Sequence, residues 1–257
     1  MDLGIAGRIA LVCASTSGLG LATATALAGE GARVVITGRR AELADQLAAE
    51  LPGAVAIRSD LTEPDGAAAL HAAVLDRLGP PDILVLNGPG PAPGPATGVG
   101  RRDAVGAVEL LVAAQVDLID RCLPRLREQG WGRILAVGSS GVSAPLSGLA
   151  LSNLGRAALA GYLKTLAAEV AADGVTVNLL LPGRIDTDRV RSLDRAKAER
   201  SGVAADQVAR ESQQAIPAGR YGEPAEFGSA AAFLCGAPAS YITGVALRVD
   251  GGLVPVL

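Results

Sequence analysis

Residues 8–29 read RIALVCASTSGLGLATATALAG, and the succession of residue types in that stretch decides the fold. The apolar run at 8–13 is too short for a helix and has the composition of a buried strand. The ASTSGLG that follows is a turn, and the segment to about residue 29 is a helix whose amino end sits at the strand's carboxyl end. A turn of this kind aims backbone N–H groups at a diphosphate, and Gly18 and Gly20 let the chain approach it closely. Gly18 and Leu19 are therefore candidate ligand contacts.

The same alternation recurs along the chain. Short apolar runs at 33–37, 54–58, 83–86, 133–137 and 175–181 are separated by helical patterns, and 105–129 reads as one long helix. Strands buried on both faces and joined by helices predict a Rossmann-type, doubly wound parallel sheet of seven strands in a three-layer α/β/α arrangement. No internal repeat is present, and 257 residues suit one catalytic unit spanning 1–257.

Composition excludes several classes of function. With 2% aromatic residues and a formal charge of -3, the chain offers neither stacking platforms nor a basic field for nucleic acid. No run of about 18 apolar residues is available to span a bilayer, and the start has no basic leader, so a cytoplasmic protein without a membrane partner is expected. Cys13, Cys122 and Cys235 are odd in number and far apart, which favours buried reduced thiols over disulfides or zinc. His71, the one histidine, lies in an alanine-rich helix. With no second imidazole, neither a metal site nor a Ser-His triad is expected, and His71 reads as a surface helix residue.

The chemistry is concentrated in residues 138–164, GSSGVSAPLSGLALSNLGRAALAGYLK. Ser139 stands at the carboxyl end of a strand, where doubly wound proteins place their sites. Ser152 and Arg156, four apart, share a helical face that looks toward it. Here the chain resembles the short-chain dehydrogenase/reductase family, whose catalytic serine is followed thirteen residues later by Tyr-x-x-x-Lys. Aligning GSS on that serine, or LAGYLKTLAAEV on the family's helix, puts Ser152 in the tyrosine's place and Arg156 in the lysine's. The resemblance runs from about residue 5 to 252, and LSNLGRAAL is similar to a divergent bacterial branch often labelled 3-oxoacyl-carrier-protein reductase.

The resemblance implies further roles. In the family's opening Thr-Gly-x-x-x-Gly-x-Gly, this chain has Cys13 and Ala14 in the first two places, and the loop is expected to survive if Ala14 keeps a negative φ. Asp60 and Leu61 match a pair that touches adenine, although Asp60 could equally cap a helix beginning near Pro64. Asn87 and Gly88 match a turn that supports the cofactor, and residues 88–98 would edge the site's mouth. Pro182, Gly183, Ile185 and Thr187 match a turn that meets nicotinamide and phosphate. Leu111 falls where many relatives keep a catalytic asparagine, so a proton relay through that point is missing. Residues 184–216 correspond to a substrate lid, and the tail to an interface of a homodimer or homotetramer.

The second strand ends in Gly38-Arg39-Arg40, with no acid to hold ribose hydroxyls. Arg39 can pair bidentately with a 2′-phosphate, helped by Ser15 or Thr16, which argues for NADP(H); the plainer reading makes both arginines solvated helix-start residues. An aliphatic hydroxyl at 152 is a far poorer acid than a phenol, and Arg156 essentially never releases a proton. The leading expectation is thus an NADP(H)-dependent oxidoreductase acting on a small carbonyl, imine or activated double bond. Ser139, Ser152 and Arg156 would be its catalytic groups, with Arg156 also on the ribose, and the proton would come through water or from Asp186 or Asp188. The alternatives are a non-redox lyase, isomerase or cyclase, and a cofactor-binding pseudoenzyme or assembly subunit.

Overall fold

The computed structural model describes residues 1–256. Seven strands form one parallel sheet: β1 (Ile9–Val12), β2 (Arg33–Gly38), β3 (Val55–Arg58), β4 (Ile83–Leu86), β5 (Gly132–Val137), β6 (Val175–Pro182) and β7 (Ala246–Val249). Their order is β3-β2-β1-β4-β5-β6-β7. The winding reverses between β1 and β4, and a reversal of that kind opens a crevice beyond the strands' carboxyl ends.

Both faces of the sheet are covered, which is why its central strands are apolar throughout instead of alternating. In β1 and just beyond it, Leu11 and Cys13 join a core with Val74, Leu118 and Leu163, while Ala10 and Val12 join another with Leu27, Phe227 and Leu234. The first layer is built by α3 (Gly66–Arg77), α5 (Ala114–Glu128) and α6 (Ala150–Val170); the second by α1 (Gly18–Gly29), α2 (Ala41–Glu50) and α9 (Pro224–Cys235). Two further helices, α7 (Asp188–Ser201) and α8 (Ala205–Gln214), follow β6 within the stretch expected to form a lid.

Two local expectations are corrected. The long helix begins earlier, as α4 (Arg101–Val108), where the Gly100 N–H donates to Asp103 Oδ2 at 3.0 Å. It then passes through a π-helical turn, Glu109–Ala113, before continuing as α5. The wider turn delivers Leu111, fully buried, against Gly155 of α6, where an added Cβ would lie 2.6 Å from Leu111 Cδ1. Nor does Asp60 cap a helix. Its carboxylate accepts from the Thr62 N–H (3.0 Å) and hydroxyl (2.7 Å), closing a turn of its own, and α3 starts later with Asp65 before it.

Cys13, Cys122 and Cys235 are free and buried, and burial pushes each thiol up to about 12. His71 is half-buried on α3. Among the described residues no helix is long and apolar enough to cross a membrane.

In the second layer α1 and α9 approach closely, and a Cβ on Gly228 would meet the Ala22 carbonyl oxygen at 2.5 Å. Backbone cannot yield there as a flexible side chain would, so Gly228→Ala should lower stability by about 1–3 kcal/mol. At this chain length that is a fall of roughly 2–10 °C in Tm. Calorimetry or thermal circular dichroism reads it, and an unchanged Tm would refute the packing argument.

Candidate active site

The carboxyl ends of β1 to β6 open onto a cleft of about 800 Å³. Its floor begins at Ala14, whose φ is +48°, the reverse of the negative value expected from sequence. The reason is steric and directional. The chain must swing from β1 into α1 within a few residues, and only the left-handed conformation brings the Ala14 carbonyl beneath Gly20, where a Cβ would stand 2.3 Å from that oxygen. Asn87 Nδ2 donates to the same oxygen at 3.5 Å, tying the turn after β4 to the turn after β1.

Ser15 does not face the cleft. It is fully buried, its hydroxyl donating to the Val12 carbonyl (2.7 Å) and accepting from the Thr37 N–H (2.8 Å), so it stitches β1 to β2. Thr16, Ser17, Gly18 and Leu19 do line the cleft, and α1 begins with no side-chain cap on its first N–H groups and no acid in its first turn. Those donors and the helix dipole are left for an anion. At the same end stand Arg39 and Arg40, both exposed. Arg40, which sequence reasoning passed over in favour of its neighbour, folds back so that Nη2 reaches the Thr16 carbonyl (3.2 Å), Thr16 Oγ1 (3.0 Å) and Ser17 Oγ (3.1 Å). Asp60 and Leu61 complete this end, the hydrogen bonds from Thr62 holding the Asp60 carboxyl below its ordinary range. Beside them Ser59 Oγ is buried with no partner among the described residues.

At the other end Ser139, Ser152 and Arg156 all line the cleft, along with Asn87 and Gly88. Ser139 Oγ accepts from the Gly141 N–H at 3.1 Å, which orients the side chain and leaves its own proton available. Arg156 Nη1 donates to the Val137 carbonyl at the end of β5 (2.7 Å), fixing the guanidinium at the cleft wall. Burial, and then the neighbouring charge of Arg189, push its pKa below the usual guanidinium value, yet an arginine stays protonated at neutral pH. Asn153 faces away from the chemistry: its amide donates to the Leu146 carbonyl (2.9 Å) and accepts from the Leu146 N–H (3.3 Å), clamping the loop between Ser139 and α6. That loop is also pinned by Gly94, whose N–H donates to the Gly148 carbonyl at 2.7 Å; of residues 88–98, Gly88, Pro89 and Gly90 line the cleft.

Pro182, Gly183 and Thr187 line the cleft, and a Cβ on Gly183 would strike Asp250 Cα at 2.6 Å. Ile185 lies outside it, buried against Gly222. Asp186 and Asp188, weighed as proton donors, are both engaged by Arg191, at 2.5 and 3.0 Å, and both are exposed. Arg189, two residues beyond the stretch matched at sequence level, also reaches the cleft. No spacing marks it out, because its position depends on how the start of α7 meets the turn after β4 at Gly90.

A doubly wound sheet with an uncapped helix end, a basic rim and a row of hydroxyls across one crevice defines a Rossmann-type α/β protein whose ligand crevice lies beyond the strands' carboxyl ends. The family model described as enoyl-(acyl carrier protein) reductase matches residues 13–254. The chain belongs to the short-chain dehydrogenase/reductase family, a family of oxidoreductases. It is 32% identical over 253 residues to dehydrogenase/reductase SDR family member 4 of Oryctolagus cuniculus, covering 96% of this chain and 94% of the relative. It is also 32% identical over 253 residues to the 3-oxoacyl-(acyl-carrier-protein) reductase FabG of Vibrio cholerae, covering 98% and 99% respectively. Among solved structures it resembles the L-sorbose reductase of Gluconobacter frateurii, complexed with NADPH and L-sorbose, with a TM-score of 0.93, 31% identity and full coverage of both chains.

Ala14 is the only non-glycine residue with positive φ among the described residues, so Ala14→Gly should relieve strain. The left-handed penalty of roughly 1–2 kcal/mol exceeds the added unfolded-state entropy of glycine, about 0.5–1 kcal/mol. A gain of about 0.5–1 kcal/mol in denaturant unfolding is expected; a loss would show that Ala14 is held for its methyl contact.

Proposed function

We propose that the chain is an NADP(H)-dependent reductase that delivers hydride to a small carbonyl, imine or activated double bond without a tyrosine acid. The observation that carries this reading is continuity: one cleft joins the uncapped amino end of α1 and the Arg39 rim to Ser139, Ser152 and Arg156. The residues fit the cofactor. The free N–H groups of α1 suit a diphosphate, the partnerless Ser59 hydroxyl lies at the adenine end, and Arg39 has no competing acid at the end of β2. The L-sorbose reductase neighbour, alike over its whole length, was crystallised with NADPH.

NADPH, when held by the α1 amino end and the Arg39 rim, would supply a hydride with its electron pair for an electrophilic carbon in the cleft. The chain's own groups manage the charge that appears on the neighbouring heteroatom or carbon. Ser139, oriented through Gly141, donates its remaining proton as a hydrogen bond to that atom, and Arg156 offers a fixed positive charge beside it. Ser152 holds water in the space a phenol would fill, and the final proton comes through that water, since Asp186 and Asp188 are tied to Arg191. Leu111 against Gly155 keeps the back of α6 dry. Helices α7 and α8 act as the lid over residues 184–216. Exposed Val105, Val108 and Leu154, on the adjoining helices α4 and α6, support pairing with a second copy in a homodimer or homotetramer.

Two measurements test the reading. Fluorescence titration should show NADPH bound more tightly than NADH, with Arg39→Ala weakening NADPH by about tenfold or more and NADH by less than about twofold, as loss of a charge-assisted pair requires. Absorbance of NADPH should fall with at least one member of a panel of ketones, imines and enones, and Arg156→Leu should slow that loss by about 100-fold. Product formed at constant NADPH absorbance would support a lyase, isomerase or cyclase instead. Tight NADPH binding with no turnover, unaltered in Ser152→Tyr/Arg156→Lys, would support a binding subunit.

A further inference from the structure

We infer that Arg189, beside the Arg156 that attends the reacting atoms, provides a subsite for the carboxylate of an anionic, partly apolar substrate. The inference deepens the reductase reading by naming the class of molecule it reduces. Three arginines follow β6 closely, and two are neutralised: Arg184 pairs with Asp194 at 2.6 Å, and Arg191 with Asp186 and Asp188. Arg189 has no carboxylate partner among the described residues. Its guanidinium instead lies over the turn after β4, Nη2 standing 3.6 Å from where a Cβ on Gly90 would be, and both it and Arg156 line the cleft. The charge of Arg189 is felt at Arg156, so two like charges face one space with no acid between them.

The rest of that compartment sharpens its preference. Ser139, Ser147 and Ser152 bring hydroxyls, and Leu146, Leu149 and Leu193 bring apolar surface. The lining carboxylates are elsewhere or engaged, Asp60 at the adenine end and Asp188 on Arg191. A compartment rich in donors and net positive, with an aliphatic wall, is complementary to a carboxylate on an apolar body. The cofactor's diphosphate is the other anion that this chemistry would accept. Its expected seat is the amino end of α1, where Thr187 Cγ2 lies 3.6 Å from a Cβ built on Gly18, whereas Arg189 extends over Gly90.

Calorimetric titration separates the two sources. With NADPH-saturated protein, 5-oxohexanoate should bind at least about tenfold more tightly than its methyl ester, the difference one charge-assisted contact provides. Arg189→Gln should erase that preference while leaving NADPH affinity within about twofold, and Arg189→Lys should restore part of it. No preference for the acid, or a preference that survives Arg189→Gln, overturns the subsite. A tenfold loss of NADPH affinity in Arg189→Gln with the acid preference intact overturns it in favour of the diphosphate. If the protein binds no NADPH at all but still prefers the acid in its Arg189-dependent way, the reductase reading fails and the anion subsite stands.

Discussion

The constraint on which the rest of the structure leans is the reversal at Ala14. Between the last residue of β1 and the first of α1 the chain must turn so that a helix end, and not a helix side, faces the crevice. That demand forces a left-handed alanine, removes the side chain from position 20, draws Asn87 across from β4, and sends Ser15 inward to join Val12 to Thr37. Each of these is a backbone or near-backbone event. The sheet's central seam and the anion end of the cleft are therefore set by the same few atoms, and neither can shift without the other.

At the opposite end packing and fixed charge lie side by side. The π-helical turn places Leu111 on Gly155, next to Arg156 in the helix turn that begins at Ser152. An apolar wedge there cannot pass a proton, and it fills the space against α6 at Gly155. With the Val137 carbonyl holding one edge of that guanidinium, the remaining donors keep one orientation. Under the proposed reading, a preorganised cation of this kind suits a conjugated acceptor best, because hydride addition there leaves a delocalised, weakly basic enolate.

Much of the fold could be read from the chain, because continuous apolar runs such as those before Cys13 and after Arg133 have one comfortable setting, a strand covered on both faces. The rim residues Thr16, Gly18, Arg39, Asp60 and Asn87 were legible for the same reason: each follows directly on a strand end. What escaped was whatever depends on a partner far away in sequence. The sign of φ at Ala14 is dictated by Gly20 and Asn87, Ser15 is turned inward by Thr37, and Arg40 is drawn back by Thr16. Asn153 needs Leu146, and Arg189 needs the descent of α7 over Gly90. The π-helical turn leaves no mark in a helical periodicity that merely slips by one residue.

The three sulfhydryls have a quieter consequence. Sunk in the two cores with thiolate formation deferred to about pH 12, they offer no nucleophile to peroxides, quinones or maleimide-like electrophiles at physiological pH. If activated double bonds are among its substrates, as the proposed function has it, such soft electrophiles are close at hand. With all three cysteines buried, a reactive substrate that strays from its course finds no thiol on the surface, and among the described residues the only exposed sulfur is the Met1 thioether.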